Sequence, residues 1–359
     1  MKIAVISYRL PVEGEKRGGI ERIAHVLADG LARRGHTVVV FSHDARPARA
    51  SYEVRTLPWK SFVETWAGLR MTLGYLGNLL ALRVDVRDFD VVIAHGDSLL
   101  LSMRRKPVVR VMHGSARGEA LHATSIGRAV MQWGVYLQEL LTAFVSPSNV
   151  VGVSANTQRD NPFVRRVIPH GVDTAIFHPT PREKSPYPSI VFVGAVDGRK
   201  RGRFLLDIFE RIIRPTLPSA QLTFVGPQGP PQQGVTYLTG VADDALATLY
   251  RRAWVCAAPS TYEGFGLPYL EAMACGTAVV ATPNPGSREV LGEDYSGLVE
   301  DGEFASAMVA LLKDEQRRCV LETAGIRRAS GFSVDRMIDQ YEALLSEVRG
   351  SHARSTVSA

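Results

Sequence analysis

The stretch PSTYEGFGLPYLEAMACGTAVVAT, from Pro259 to Thr282, decides the fold of this 359-residue chain. Apolar residues up to Ala258 predict a buried strand, and the Gly-Phe-Gly turn at 264–266 leads from that strand into a helix. Pro268 suits the first turn of the helix, and Gly276 suits its C-terminal stop. We therefore predict a strand, a glycine-rich turn and a helix, the unit from which parallel α/β sheets are built.

The start of this helix is predicted to bind an anion. Its first backbone N–H groups have no partner within the helix, and the helix dipole is positive at that end. Gly264 and Gly266 carry no side chain that would hold a phosphate away. Two carboxylates flank the turn, Glu263 before it and Glu271 within the helix. Because carboxylates accept hydrogen bonds from hydroxyl groups, a sugar and a ribose are the expected partners. A plain strand–turn–helix with one acid near its start is the alternative.

Runs of strand length occur throughout the chain, at residues 2–7, 37–42, 90–94, 108–112, 189–193, 221–225, 253–258 and 277–281. Helix-like runs separate them, which is typical of parallel α/β sheets. The stretch PTPREKSPYP, residues 179–188, interrupts the alternation and predicts a linker. We therefore predict an α/β protein of two Rossmann-like, doubly wound domains at 1–178 and 189–330, followed by a helix at 331–348 and a disordered tail at 350–359.

A basic loop is predicted to clamp a diphosphate. The segment FVGAVDGRKRG, residues 192–202, brings Arg199 and Lys200 just ahead of a predicted helix. Fixed cations at such a position suit phosphate oxygens, although an exposed basic loop would have the same sequence.

Two further motifs follow predicted strands in the first domain. Gly18 and Gly19 open the first long helix, where they allow a ligand from the other domain to approach closely or simply form a tight turn. His113 ends an apolar strand, at the sheet edge where ligands bind, unless it only caps that strand. His95, which also follows a strand, is its rival as a ligand-binding histidine.

The block from Pro259 to Thr282 resembles the Glu-x7-Glu motif of the retaining glycosyltransferases of family 4. The resemblance covers nearly the whole chain, most closely residues 190–300. It implies the GT-B fold, in which two Rossmann-like domains face a central cleft, with the C-terminal helix packing back on the N-terminal domain. It also implies that Glu263 binds hydroxyls of the donor sugar and that Glu271 binds the ribose.

The resemblance further implies a set of site residues. It makes His113 and Glu263 catalytic and places these donor-binding residues around the nucleotide sugar: Gly18, Gly19, Arg199, Lys200, Gly264, Phe265, Gly266, Leu267 and Glu271. Many family members carry an arginine where this chain has Ala195, so the charge must come from Arg199 and Lys200. Many also carry asparagine at the position of His170, which receives no role.

The implied activity is transfer of a sugar from a nucleotide-diphosphate sugar to an acceptor hydroxyl with retention of anomeric configuration. No metal cofactor is expected, because no cluster in the sequence has metal-ligand spacing and Asp88-Phe89-Asp90 immediately precedes a strand. A sugar-nucleotide epimerase or hydrolase on the same fold, or a silent nucleotide-sugar-binding protein, remains an alternative.

Charge indicates where the acceptor binds. Residues 1–178 carry a net charge of +8 and residues 179–359 carry −2. An anionic or lipid-linked acceptor on the first domain is therefore expected, with no nucleic-acid partner. Peripheral membrane contact is a second expectation, because apolar residues recur at about helical spacing beside Arg70 and Arg83. The alternative is that these apolar residues simply pack on the sheet. They are Trp59, Phe62, Trp66, Leu69, Leu73, Leu76, Leu79 and Leu80. Three cysteines without a Cys-x-x-Cys pair predict a reducing compartment, the cytoplasm.

Overall fold

The computed structural model of the chain describes residues 1–11, 18–57, 84–96, 101, 106–123, 125–145, 149–180 and 184–357. The apolar pattern between Trp59 and Leu80 lies outside these residues, as do Arg70 and Arg83.

The first sheet has seven parallel strands in the order β3-β2-β1-β4-β5-β6-β7. Their bounds are β1 Lys2–Ile6, β2 Thr37–Ser42, β3 Glu53–Thr56, β4 Val91–His95, β5 Val108–Met112, β6 Val150–Gly152 and β7 Arg166–Val167. Every residue of β4 and β5 is buried, as expected for a parallel sheet covered on both faces. The described residues of this half form the helices α1 Gly19–Arg33, α2 Ala116–Leu121, α3 Ile126–Val145 and α4 Ala155–Asp160.

The second sheet has five parallel strands in the order β10-β9-β8-β11-β12. They are β8 Ser189–Val193, β9 Gln221–Val225, β10 Val235–Leu238, β11 Val255–Ala258 and β12 Ala278–Ala281. Helix α5 Gly202–Ile208 continues through a π-helical turn at Phe209–Ile213 into α6 Arg214–Thr216. The described helices that follow are α7 Asp243–Arg252, α8 Leu267–Ala274, α9 Pro285–Leu291, α10 Asp301–Lys313 and α11 Glu315–Ala329. The prediction of two parallel-sheet domains is confirmed.

In each sheet the strand order reverses at one point, between β1 and β4 in the first and between β8 and β11 in the second. Ligands of doubly wound folds bind at the carboxyl ends of the strands beside such a reversal. The topology therefore fixes where a site can form before any side chain is considered.

The last helix, α12 Val334–Val357, returns to the N-terminal domain as predicted. Arg34 Nη1 lies 2.5 Å from Asp339 Oδ1 and 2.6 Å from Glu342 Oε2. The chain returns to the first domain beside the last residues of that domain's own sequence. There Val172 N donates to Phe332 O at 2.8 Å, and Val172 forms an isolated parallel bridge with Ser333. The helix runs to Val357, where the sequence predicted a disordered tail from 350. One glycine costs a helix about 1 kcal/mol, which does not stop a helix that is already propagating.

Candidate functional site

A cleft of about 1030 Å³ separates the two domains. Pockets for small ligands span roughly 300–1,000 Å³, so a nucleotide sugar fits this space. The cleft lies at the carboxyl ends of β4, β5, β8 and β11. All the site residues predicted from the sequence line it: Gly18, Gly19, His113, Arg199, Lys200, Glu263, Gly264, Phe265, Gly266, Leu267 and Glu271.

Glycines shape the turn that enters α8. Gly266, its N-cap residue, has φ +105°, and a Cβ there would lie 2.4 Å from the Tyr269 ring. A Cβ on Gly264 would lie 2.5 Å from the His113 carbonyl oxygen of the other domain. No side chain caps the helix. Its N-terminus is therefore held at the cleft with its positive dipole end directed at an incoming anion.

The first helix meets α8 from the opposite wall. A Cβ on Gly19 would lie 2.9 Å from Leu267 Cδ1, so this close approach of α1 to α8 needs a glycine or a shift of that leucine. Gly18 is the N-cap of α1 and likewise gives no side-chain cap. Two helix N-termini, one from each domain, therefore converge on the same space.

Glu263 is buried between two cations. Arg199 Nη1 lies 2.8 Å from Glu263 Oε2, and Lys200 Nζ lies 2.6 Å from Oε1. Burial of this carboxylate raises its pKa, but the two cations outweigh burial and hold the pKa below its usual value. The group is therefore ionised at neutral pH. Arg199 also lies 3.5 Å from Glu119 of the N-terminal domain, a contact that the sequence did not indicate.

Glu271 makes contacts of a different kind. Its Oε1 accepts from Arg22 Nη2 of α1 at 2.5 Å, and its Oε2 accepts from the Tyr250 hydroxyl at 3.3 Å. Burial raises the pKa of Glu271 despite the opposing Arg22 charge. Arg22 also lies 3.4 Å from Asp243 on α7. Arg22, three residues after Gly19 and without a role predicted from the sequence, thus spans the cleft to the carboxylate expected to bind the ribose.

Three histidines form a buried chain along the N-terminal wall. His95 Nδ1 lies 2.9 Å from His113 Nε2, and His113 Nδ1 lies 3.3 Å from His170 Nε2. Burial lowers the pKa of His113 to about 4 and places the pKa values of His95 and His170 well below 6.5. The rings are therefore neutral at pH 7, so each contact pairs an N–H with a bare nitrogen. His95 and His113 are thus partners, and His170, which also follows a strand, completes the chain.

Among the residues that the structure describes, no group of three His, Cys, Asp or Glu side chains could hold a metal ion. Asp90 of the Asp-x-Asp sequence accepts a hydrogen bond from the Lys2 backbone N–H at 2.8 Å, as a residue at a strand entrance does. None of the helices in the described ranges has the length and apolar character needed to cross a bilayer.

Comparison with known proteins agrees with this geometry. A model of glycosyltransferase family 4 matches residues 17–176, and a model of the group 1 glycosyl transferases matches residues 187–314. The D-inositol 3-phosphate glycosyltransferase 1 of Catenulispora acidiphila is 30% identical over 216 residues, which are 50% of this chain and 52% of the relative. The chain spans about half the length of the curated relatives it matches.

Solved structures share the fold over almost the full length. Sucrose-phosphate synthase from Thermosynechococcus elongatus superposes with a TM-score of 0.75 at 20% identity, covering 98% of this chain and 99% of that one. HepE of Anabaena, in complex with UDP and glucose, gives 0.72 at 20% identity, covering 97% and 100%. These likenesses and the two family models lead to one conclusion: residues 17–176 form a domain of glycosyltransferase family 4, residues 187–314 form a domain of the group 1 glycosyl transferases, and the chain has the GT-B fold.

Proposed function

We propose that this chain transfers a sugar from a nucleoside-diphosphate sugar to an acceptor hydroxyl. The observation that carries the proposal is the convergence of the α8 N-terminus, the Arg199–Lys200 pair, and the buried carboxylates Glu263 and Glu271 on one cleft. A helix terminus and two cations suit a diphosphate, and carboxylates suit sugar and ribose hydroxyls. HepE, which shares the fold, was solved with UDP and glucose, and this supports the same class of donor.

The two cations and the helix terminus are proposed to stabilise the departing diphosphate without a divalent metal. Charge develops on that leaving group in the transition state, and fixed donors in a buried site stabilise it there more than in the ground state. His113 is proposed to contact the donor sugar from the opposite wall. Because its ring is neutral, it places no positive charge beside an oxocarbenium-like centre.

The anomeric configuration of the donor is expected to be retained in the product. Glu263 is held by two cations and Glu271 by Arg22, so both are poor nucleophiles. Attack by the acceptor on the face that the diphosphate leaves is therefore the proposed route. The product's anomeric proton coupling, followed by NMR from the start of the reaction, decides the matter, and an inverted product would reject this mechanism.

Nucleotide selectivity tests the proposed function directly. We expect one of UDP, GDP, ADP and TDP to bind in calorimetry with EDTA present, and Glu271→Ala to weaken it about 10- to 100-fold, since hydrogen bonds to charged groups contribute about 1.5–3 kcal/mol. Asp301→Ala is the matched control, because Asp301 pairs with Arg201 at 2.6 Å outside the cleft lining. If none of the four binds, with or without a divalent metal, the proposed donor site is wrong. Nucleotide binding that appears only after a divalent metal is added back would reject only the proposal that no metal is needed.

The acceptor is proposed to be anionic. The first domain carries the chain's excess positive charge, and Arg110, buried on β5, lines its wall of the cleft. The Catenulispora relative is named for a phosphorylated acceptor, which supports this choice. Competition by inositol phosphates and by anionic lipid headgroups in a transfer assay distinguishes an anionic from a neutral acceptor.

A further inference from the structure

Helix α3 carries a bare apolar face. Seven large apolar side chains follow one another at intervals of mostly three or four residues and are between 44% and 84% exposed: Ile126, Val130, Trp133, Leu137, Leu141, Phe144 and Val145. Residues at this spacing share one side of a helix. Over 20 residues, the stripe is about 30 Å long. Large apolar patches that are exposed on a protein surface commonly mark interaction sites.

The opposite face of α3 is anchored in the protein. Gln132, Val135 and Glu139 line the cleft. Glu139 Oε2 accepts from the Ala116 backbone N–H at 3.1 Å, and the Tyr136 hydroxyl donates to Asp160 O at 2.6 Å. The helix is therefore fixed by its polar side and turns its apolar side to solvent, the reverse of an ordinary surface helix.

The charge around this stripe is basic. Glu139 is the only acidic residue of α3, and it is buried on the inner face. Arg159 and Arg165 are exposed on the segment that packs beside α3, which contacts it through Tyr136 to Asp160 and through Phe144 to Phe163. Neither arginine forms an ion pair with a residue that the structure describes.

We propose that the α3 stripe lies in the surface of an anionic lipid bilayer, with Arg159 and Arg165 meeting the headgroups. An amphipathic helix with an apolar face and flanking cations binds in this way, parallel to the membrane plane. A second copy of the chain fits less well, because a two-fold contact places the same basic rim against itself. Since the inner face of α3 lines the cleft, this orientation brings the cleft next to the membrane. If the proposed function holds, it also favours a lipid-borne acceptor.

Vesicle sedimentation of the full chain, without nucleotide, tests the proposal. We expect binding to phosphatidylcholine vesicles that contain phosphatidylglycerol, little binding to phosphatidylcholine alone, and release by salt. Leu137→Glu with Leu141→Glu should lower the partition coefficient at least about tenfold, and so should Arg159→Glu with Arg165→Glu, each charge contributing about fivefold. Val320→Glu is the matched control, since Val320 is a similarly exposed apolar residue of α11 in the other domain.

Each other outcome rejects the proposal. Absent binding to the phosphatidylglycerol vesicles, or equal binding by the leucine and control variants, removes the stripe as a membrane surface. A wild-type dimer in light scattering that the leucine variant dissociates would assign the stripe to a second copy. The stripe would instead pack within the chain if two results occurred together. The leucine variant, but not the arginine variant, would lose much thermal stability, and the arginine variant would bind vesicles as well as the wild type does. Because no nucleotide is present, failure here is distinct from failure of the proposed transfer activity.

Discussion

Replacing Lys200 with methionine is expected to lower kcat by about 10²- to 10³-fold, with a smaller change in KM for the donor. The substitution keeps the unbranched apolar stem of the side chain and removes the charge that lies 2.6 Å from Glu263. Under the proposed function, that charge stabilises the diphosphate mainly as it departs, so its loss appears in kcat more than in binding. Steady-state rates with the donor that the calorimetry selects measure the effect.

Arg203→Met is the matched control for this variant. Arg203 lies three residues away, is exposed, and pairs at 2.9 Å with the exposed Asp197. The Arg203→Met variant also loses one positive charge, but outside the cleft lining, so its kcat should match that of the wild type. A Lys200→Met enzyme with normal kcat, or one in which both variants lose activity equally, would show that local charge at Lys200 does not drive the reaction.

Acidification from about pH 7.5 to about pH 5.5 is expected to lower the free energy of unfolding by roughly 4 kcal/mol through the three buried histidines. Their pKa values in the folded chain lie below 6.5, to about 4 for His113, so the unfolded chain binds more protons in this range. The stabilisation is therefore complete above pH ~6.5 and is lost as pH falls towards the folded pKa values. Urea unfolding at the two pH values measures it.

His170→Asn should remove about one third of this pH dependence, because one fewer proton is taken up on unfolding. His122→Asn, an exposed residue on the same domain, is the control and should leave the pH dependence as it is in the wild type. A pH dependence that is the same in all three proteins would mean that the buried chain of histidines is already protonated, or solvated, in the folded state.

The strands and the glycine-rich turn could be predicted because their determinants are local. Val91–His95 and Val108–Met112 are short apolar runs, and Gly266 is needed for a backbone with φ +105°. β6 and β7, with three and two residues, could not be predicted, since strands this short exist only through pairing with a neighbour.

Contacts between residues on opposite walls of the cleft also could not be predicted from the sequence. Arg22 and Glu271 are separated by 249 positions, and no spacing rule connects them. His170 could not be found from the sequence either, since the strand that it follows, β7, has only two residues. The site residues themselves could be placed because a family motif orders them, although the role of each one stays a prediction.

The chain crosses between the domains twice, and the second crossing, where α11 gives way to α12, lies against Val172 near the end of the first domain. Two ion pairs join the walls of the cleft, Arg22 to Glu271 and Arg199 to Glu119. Any opening of the cleft therefore has to separate both pairs of charges, and the charges that grip the ligand also hold the empty cleft closed.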